Sequence, residues 1–393
     1  MSHGEVPIAV RTRRHVMKGF DMRRTSVAQR LIGACAFGWI AAAAFGVVAQ
    51  QPPPPPAGQG RGPQGAGAPD PCGGRSMQPQ MPCASDVERM MEVLPVKAPA
   101  TPKQPRRVLV YGHAAGYQHS SIPLAARTIE EMGKKTGAWT TTITYDPAAM
   151  TAENLKQYDA IFLSSTTGTF LDDPKSETLT AARRKAFIDF VRGGKGLAGI
   201  HAAGDSYHGG GARGTGAPQR GGGRATVPAC SAAPGGGAGG APLWPEFNKM
   251  IGGYFKFHWV YPTPITVKID DPKSPINAAF KGKSFNTIDE VYTFNQDSWS
   301  RENVHVLTSI DYSLMTDCEK GLEASPRTDR DFGLSWIRRE GNGRVFYEAL
   351  GHSETIYYNN PAMLEHILAG MQYALGDLAA DDGSSVKSKK SND

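Results

Sequence analysis

Residues 197–205, with the sequence LAGIHAAGD, close an apolar run and place one histidine between small residues. Small residues around a reactive side chain allow a tight turn from strand to helix, which holds that side chain at the end of a strand in an α/β sheet. His201 stands where such turns carry cysteine or serine, so covalent catalysis needs a nucleophile from elsewhere. The stretch predicts an α/β sheet with an imidazole at its reactive edge.

Short apolar segments alternate with segments of helical periodicity on the amino-terminal side of this turn. Alternation of this kind favours right-handed βαβ units. We therefore predict an α/β fold with an open, mostly parallel sheet and helices on both faces. The predicted strands are 108–111, 140–144, 160–164 and 196–200. The predicted helices are 122–135, 152–157 and 181–192, the last with Thr180 as its N-cap.

The second half of the chain is richer in strands, which predicts additional strands beyond the parallel units. A final helix is expected from Asn360-Pro361, an N-cap followed by proline at the first helical position, to about residue 375. The predicted strands of this half are 265–269, 291–294, 304–309, 333–338 and 345–350.

Composition divides the chain into four parts, with a signal peptide or N-terminal anchor over 1–49. A Pro/Gly-rich linker, 50–104, contains a short helix that begins with a capping box at Ser85 and ends at Leu94. The folded domain covers 105–377, and the polar tail, 378–393, is expected to be disordered. A Gly-rich insertion, 207–242, has 13 glycines in 36 residues and is expected to be a mobile loop, either passive or a lid.

Most of the net charge lies at the amino terminus. The first thirty residues hold seven Lys or Arg against two acidic residues, 7 − 2 = +5 of a total of +6. An uncharged stretch, 31–48, follows and ends in VVAQ, which is typical of an export signal. We predict a periplasmic or secreted protein, or alternatively an uncleaved anchor that would be its sole membrane contact. Nucleic acid is not an expected partner, because the charge lies in this segment.

Four cysteines follow the predicted signal, and an oxidising compartment would preserve disulfides between them. Pairing of Cys72 with Cys83 and of Cys230 with Cys318 is favoured, since each bond would fix a segment poor in apolar residues. Four free thiols are the alternative. The spacing does not match a structural zinc cluster.

Polar clusters follow several strands, where open α/β sheets bind ligands. We predict acid–base catalysis by three imidazoles and a carboxylate: His119, His201, Glu290 and His352. Predicted substrate-binding residues are His113, Tyr117, Asp205, His258, Tyr292 and Glu354. A scaffold role is the alternative for His119 and for His352. Three other histidines, His208, His305 and His366, are interpreted as packing or surface residues.

Five motifs in order across the domain resemble the ThuA-like, or trehalose-utilisation, family: VLVYGHAAGYQHSSI (108–122), GIHAAGD (199–205), GGYFKFH (252–258), DEVYTF (289–294) and ALGH (349–352). The resemblance implies a flavodoxin-like sheet of the class I glutamine amidotransferase-like superfamily and a role in sugar catabolism. Amidotransferases of that superfamily carry cysteine at the elbow and a His-x-Glu pair late in the chain. Here His201 replaces the cysteine while His352 and Glu354 keep the pair's spacing, so glutamine hydrolysis is not expected. The chain departs from the family pattern in the insertion after Asp205.

Two functions remain open for the folded domain on this basis, and a structural or assembly role of the Pro-rich linker and the Gly-rich loop is a third alternative. The first is an exported enzyme acting on a sugar or an oxidised sugar derivative as a hydrolase, lyase or isomerase. In a variant of it, His119, His201 and His352 hold a divalent metal; the cofactor is otherwise unknown. The second is a non-catalytic carbohydrate-binding module that uses Tyr117, Phe257, Trp259 and Tyr292 as platforms for sugar rings. The expected partner is a small carbohydrate in either case, and the oligomeric state is not predicted.

Overall fold

The computed structural model describes residues 80–209, 239–259, 261–323 and 327–386. All of them belong to one contact unit, Gly65–Asp393, and the other unit, Met1–Gln64, lies outside the described residues. The predicted signal or anchor, 1–49, and most of the predicted insertion, 207–242, also lie outside them.

Five strands form the parallel part of a nine-stranded sheet, in the order β2-β1-β3-β4-β11. This order matches the flavodoxin-like arrangement of parallel strands. Strands β3 and β4 are buried at every residue, which explains why their sequences are almost continuously apolar instead of alternating. The five strands are β1 (Arg107–Tyr111), β2 (Thr140–Thr144), β3 (Ala160–Ser164), β4 (Gly196–Ile200) and β11 (Gly343–Glu348).

The second half extends the same sheet with antiparallel strands, in the order β11-β10-β9-β6-β7. A separate two-stranded sheet pairs β5 with β8. The predicted α/β fold with a mostly parallel core and additional strands from the second half is confirmed. These strands are β5 (Phe255–His258), β6 (Thr263–Ile269), β7 (Phe285–Asp289), β8 (Tyr292–Phe294), β9 (His305–Ile310) and β10 (Gly333–Glu340).

Helices cover the sheet on both faces. Helices α1, α2 and α7 lie in one layer, and α3, α4 and α5 lie in the other, where rings of α4 and α5 pack together. Asn360 caps α7 as predicted, accepting a hydrogen bond from the amide of Ala362. The helices are α1 (Ala84–Val93), α2 (Ile122–Thr136), α3 (Ala152–Leu155), α4 (Glu177–Arg192), α5 (Pro245–Ile251), α6 (Asp317–Gly321) and α7 (Pro361–Ala374).

Two predicted helix starts are wrong. Helix α4 begins one turn earlier than predicted, and Ser176, not Thr180, caps it by accepting a hydrogen bond from the amide of Leu179. The apolar periodicity of the sequence does not extend over this first turn, because the side chains of the turn are largely exposed. Helix α1 begins at Ala84 without a side-chain cap, so the capping box predicted at Ser85 is not formed.

Both ends of the described chain make hydrogen bonds or ion pairs to the rest of the domain. In the predicted linker, Ala100 exchanges two hydrogen bonds with the side chain of Gln372 in α7. In the predicted disordered tail, Gly383 accepts a hydrogen bond from His305, and Asp382 pairs with Arg339. Polar groups along β9 and β10 thus contact the first part of the predicted tail.

Cys83 and Cys318 are both disulfide-bonded, which excludes free thiols at these two positions. Cys72 and Cys230 lie outside the described residues, so the pairing itself stays a prediction. Within the described ranges, every helix is too short or too polar to cross a bilayer.

Candidate active site

His201 forms the predicted elbow directly after β4. Its backbone has a φ of +45°, in the left-handed region that side chains other than glycine rarely adopt. The hydroxyl of Tyr347 donates a hydrogen bond to the carbonyl of His201, at 2.5 Å. A Cβ at Gly204 would lie 2.6 Å from that same hydroxyl, which explains why the turn needs small residues.

The four predicted catalytic side chains meet at one point. Their ligand-type atoms all lie within 4.8 Å of one another. His119, His201 and His352 follow the carboxyl ends of the parallel strands β1, β4 and β11, and Glu290 lies between β7 and β8. Parallel strands present their carboxyl ends at one edge of a sheet, which brings the three loops together.

The contact between His119 and His201 fixes how the inner imidazoles face each other. The Nδ1 atom of His201 lies 2.9 Å from the carbonyl of Ala349, and a carbonyl only accepts, so Nδ1 carries the proton. In the neutral ring, Nε2 is then an acceptor directed into the cluster. It lies 3.2 Å from Nε2 of His119, which donates to it if the two rings are in direct hydrogen-bond contact.

Glu290 is the carboxylate around which the imidazoles are arranged. Its Oε1 lies 3.4 Å from Nδ1 of His352 and 3.7 Å from Nε2 of His201. Its Oε2 lies 3.8 Å from Nδ1 of His258, a fourth imidazole.

The electrostatic environment separates the protonation states of these groups. Burial, and then the neighbouring His352, lower the pKa of His201 to about 3, so this ring is neutral. Burial alone would raise the pKa of Glu290, but His352 and His258 hold the pKa of this carboxylate well below its usual range. Burial opposes protonation of His352, but Glu290 outweighs it and raises the pKa of His352. The site thus combines a carboxylate whose pKa is lowered, an imidazole whose pKa is raised and, at His201, a neutral imidazole.

Aromatic rings line the cluster. Tyr292 packs against His201 with ring centroids 4.2 Å apart, and Tyr117 contacts His119 edge-on at 4.7 Å. Tyr261, which sequence reasoning missed, packs against His352 at 4.8 Å. A tyrosine before a proline gave no chemical signal in the sequence, so only the fold identifies it.

Asp289 is the second residue that sequence reasoning left unassigned, although it lies next to Glu290 in the DEVYTF motif. Its side chain is fully buried and accepts hydrogen bonds from the backbone amides of Gly351, His352 and Ser353. Burial raises the pKa of Asp289 to about 6, against the opposing effects of the His352 side chain and the amides of Gly351 and Ser353.

Three predicted substrate-binding residues do not join the cluster directly. His113 lies beside Tyr111, near the end of β2, where burial lowers its pKa. Asp205 instead pairs with His208. Glu354 begins a short 3₁₀ helix, while His352 takes Glu290 as its ion-pair partner.

Burial also bears on the predicted platforms for sugar rings. Trp259 and Tyr292 are 0% and 2% exposed, so neither ring has a free face for a ligand. Phe257 is half-buried with Lys256 over its ring. Of the four predicted platforms, Tyr117 is the one with a large exposed surface, 48%.

The donor set is also one that a divalent metal would accept. Tetrahedral coordination with metal–ligand distances of about 2.0–2.1 Å puts neighbouring ligand atoms about 3.3 Å apart. The spacings of 3.2, 3.4 and 3.7 Å around His201 and Glu290 are close to that value. The bond from Nδ1 of His201 to Ala349 would orient that ring as metal-bound imidazoles are oriented. His119, His201, His352 and Glu290 could therefore hold such an ion.

Fold and site together define a class of protein: a flavodoxin-like α/β domain whose strand-to-helix elbow carries histidine, surrounded by further imidazoles and a carboxylate. Comparison with family models identifies the family. The model described as ThuA, trehalose utilisation, matches residues 107–234 and 219–374. The chain belongs to this family, which confirms the resemblance seen in its motifs.

The solved structures to which this chain is similar include two that are described as putative ThuA-like proteins. The one from Bacteroides uniformis is 21% identical, with 70% of this chain and 93% of that chain covered and a TM-score of 0.48. The one from Parabacteroides merdae is 16% identical, with 72% and 96% covered and a TM-score of 0.41. An exo-β-1,4-mannosidase from Opitutaceae bacterium strain TAV5 is 10% identical, with 71% and 37% covered and a TM-score of 0.33. The comparison with curated proteins found no match.

Proposed function

We propose that this ThuA family member is an exported enzyme that acts on a sugar or an oxidised sugar derivative through acid–base chemistry of histidine and carboxylate groups. The observation that carries the proposal is the meeting of His119, His201, Glu290 and His352 within 4.8 Å at the carboxyl edge of the sheet. Bringing such groups together in a largely buried site costs desolvation energy, which is typical of catalytic sites.

The protonation states suggest a division of roles. Glu290, ionised, accepts a proton from the carbon next to a sugar carbonyl or from an attacking water. His352, whose pKa is raised, donates a proton in its protonated form to the oxygen that gains negative charge or leaves. His201, neutral, orients the reacting group by hydrogen bonding. Glu290 gains one proton and His352 loses one, so the number of protons on the reacting molecules is unchanged.

Export is supported by two features of different kinds. The basic and then apolar amino-terminal sequence has the form of a signal. Cys83 and Cys318 are disulfide-bonded, and disulfides persist in oxidising compartments.

Turnover assays with disaccharides and their keto derivatives test the proposal. The Glu290→Gln variant should lose about 10²–10⁴-fold in kcat, the usual contribution of a general base. Glu153→Gln is the matched control, because Glu153 lies on the surface of α3 and pairs with Lys156 there. Sugar binding by both wild type and His201→Ala, without product from either, would reject the enzyme in favour of a binding module.

A metal-assisted form of the same reaction is the second candidate, favoured by the spacing of the four donor groups. A bound divalent ion would supply Lewis-acid polarisation of a sugar oxygen and an acidic water. Metal analysis of the purified protein before and after chelation separates the two forms. A bound ion lost together with activity supports the metal-assisted form, whereas full activity without bound metal rejects it.

A further inference from the structure

We propose that Asp289 is a positioning residue that holds the imidazole of His352 against Glu290. The inference rests on the proposed function, because it assigns Asp289 a part in the same reaction without contact with the substrate.

The geometry ties two site residues to one buried carboxylate. Asp289 is the last residue of β7, and Glu290 follows it in the chain. The carboxylate lies 2.6 Å from the amide of Gly351, 3.2 Å from that of His352 and 2.9 Å from that of Ser353. The loop that carries His352 is thus bound to the residue next to its ion-pair partner.

The same loop is restrained from its other side. The hydroxyl of Ser121 donates to the carbonyl of Gly351 at 2.8 Å, and the hydroxyl of Tyr357 donates to it at 3.3 Å. Gly351 has a φ of +131°, and a Cβ there would lie 2.8 Å from that tyrosine hydroxyl. The loop is therefore built to take one conformation.

A carboxylate suits this position better than its amide analogue. Three N–H donors converge on Asp289, and an ionised carboxylate has only acceptors to offer them. Asparagine would direct its own NH₂ group at one or more of these donors. The substitution therefore changes the hydrogen bonding of the loop while keeping the size of the side chain.

Displacement of His352 should affect the chemical step more than binding. Nδ1 of His352 lies 3.4 Å from Oε1 of Glu290, so a small movement of the loop breaks their alignment. A misplacement of about 1 Å in a catalytic group can cost about 10²-fold in rate. Asp289 acts only through this imidazole, so its effect should vanish when the imidazole is absent.

The test compares Asp289→Asn, His352→Gln and the double variant in kcat, KM and amide hydrogen exchange of residues 351–353. Asp271→Asn is the matched control, because Asp271 accepts from the amides of Lys273 and Ser274 in a turn outside the site. Ser121→Ala, which loosens the same loop from its other side, serves as a second variant if Asp289→Asn does not fold.

We expect Asp289→Asn to lower kcat by about 10²-fold with little change in KM, and to speed exchange at 351–353. The double variant should be no slower than His352→Gln alone. Rate losses that multiply in the double variant, or unchanged exchange at 351–353, would overturn the proposal. If wild type turns over no sugar, the proposed function fails, while the exchange measurement still decides whether Asp289 holds the loop.

Discussion

His201 occupies a backbone conformation that costs about 1–3 kcal/mol for a residue with a side chain. Local contacts must offset this cost, and two of them are clear. The carbonyl of Ala349 accepts a hydrogen bond from the imidazole of His201, and the hydroxyl of Tyr347 donates one to the carbonyl of His201. The strain at the elbow is therefore maintained by its neighbours on β11 and in the loop that follows it.

Removing the hydroxyl of Tyr347 should weaken the elbow. The Tyr347→Phe variant leaves the buried carbonyl of His201 without this donor, so the free energy of unfolding should fall by about 1–3 kcal/mol. Urea denaturation measures the change. Tyr312→Phe, at a partly exposed ring beside Phe332, should change stability by less than about 0.5 kcal/mol. Equal losses in both variants would contradict this account of the elbow.

The pair of His208 and Asp205 should make stability depend on pH. Burial lowers the pKa of His208, but Asp205 outweighs burial and the net pKa is raised. A raised pKa in the folded state contributes stability below the unfolded value, about 6.5, and the contribution disappears as pH rises through the folded pKa. The stability difference between wild type and His208→Gln should therefore be larger at pH 6 than at pH 8.5. A difference that grows with pH in denaturation curves would refute this.

At the scale of elements, α7 packs closely against the start of β4. A Cβ at Gly196, the first residue of β4, would lie 2.4 Å from the carbonyl of Ala374 at the end of α7. The Gly196→Ala variant should therefore push strand and helix apart and lower stability by about 1–3 kcal/mol. Gly321→Ala is the control, since a Cβ at Gly321 would have no atom of the described residues within 4 Å. Thermal denaturation of both variants checks the prediction, which fails if they are equally stable.

Sequence reasoning located best those strands that are marked by a pattern of neighbouring residues along the chain. The predicted bounds of β2, β3 and β4 are the observed ones, because short apolar or β-branched runs end at turn residues. Strands β5 and β7 were missed, since β5 has four residues and β7 is a partly exposed edge strand. Their pairing with β8 and β6 depends on tertiary contacts that no local pattern records.

In the site, too, some features follow from patterns along the chain and others depend on tertiary contacts. The meeting of His119, His201 and His352 follows from parallel strands ending at one edge, so sequence reasoning could propose it. The bonds from Asp289 to the loop of His352 span more than 60 residues of chain. Such a contact has no periodicity or motif, and only the folded chain shows it.

For the whole molecule, the two predicted disulfides would connect the described domain to cysteines outside the described residues. Cys83 precedes α1, and Cys318 lies in α6. If Cys230 bonds to Cys318, the bond closes a loop of 318 − 230 = 88 residues, whereas Cys72 to Cys83 closes one of 83 − 72 = 11. Longer loops lose more entropy in the unfolded state when they are closed.

The two bonds should therefore differ in their effect on stability. Replacing Cys230 and Cys318 together with serine should lower the free energy of unfolding by about 4–5 kcal/mol, against about 3 kcal/mol for the pair Cys72 and Cys83. Mass spectrometry of unreduced peptides gives the pairing, and urea denaturation of the two double variants gives the energies. A peptide joining Cys83 to Cys318 would disprove the pairing. Equal losses would mean that loop length does not set the contribution of these bonds.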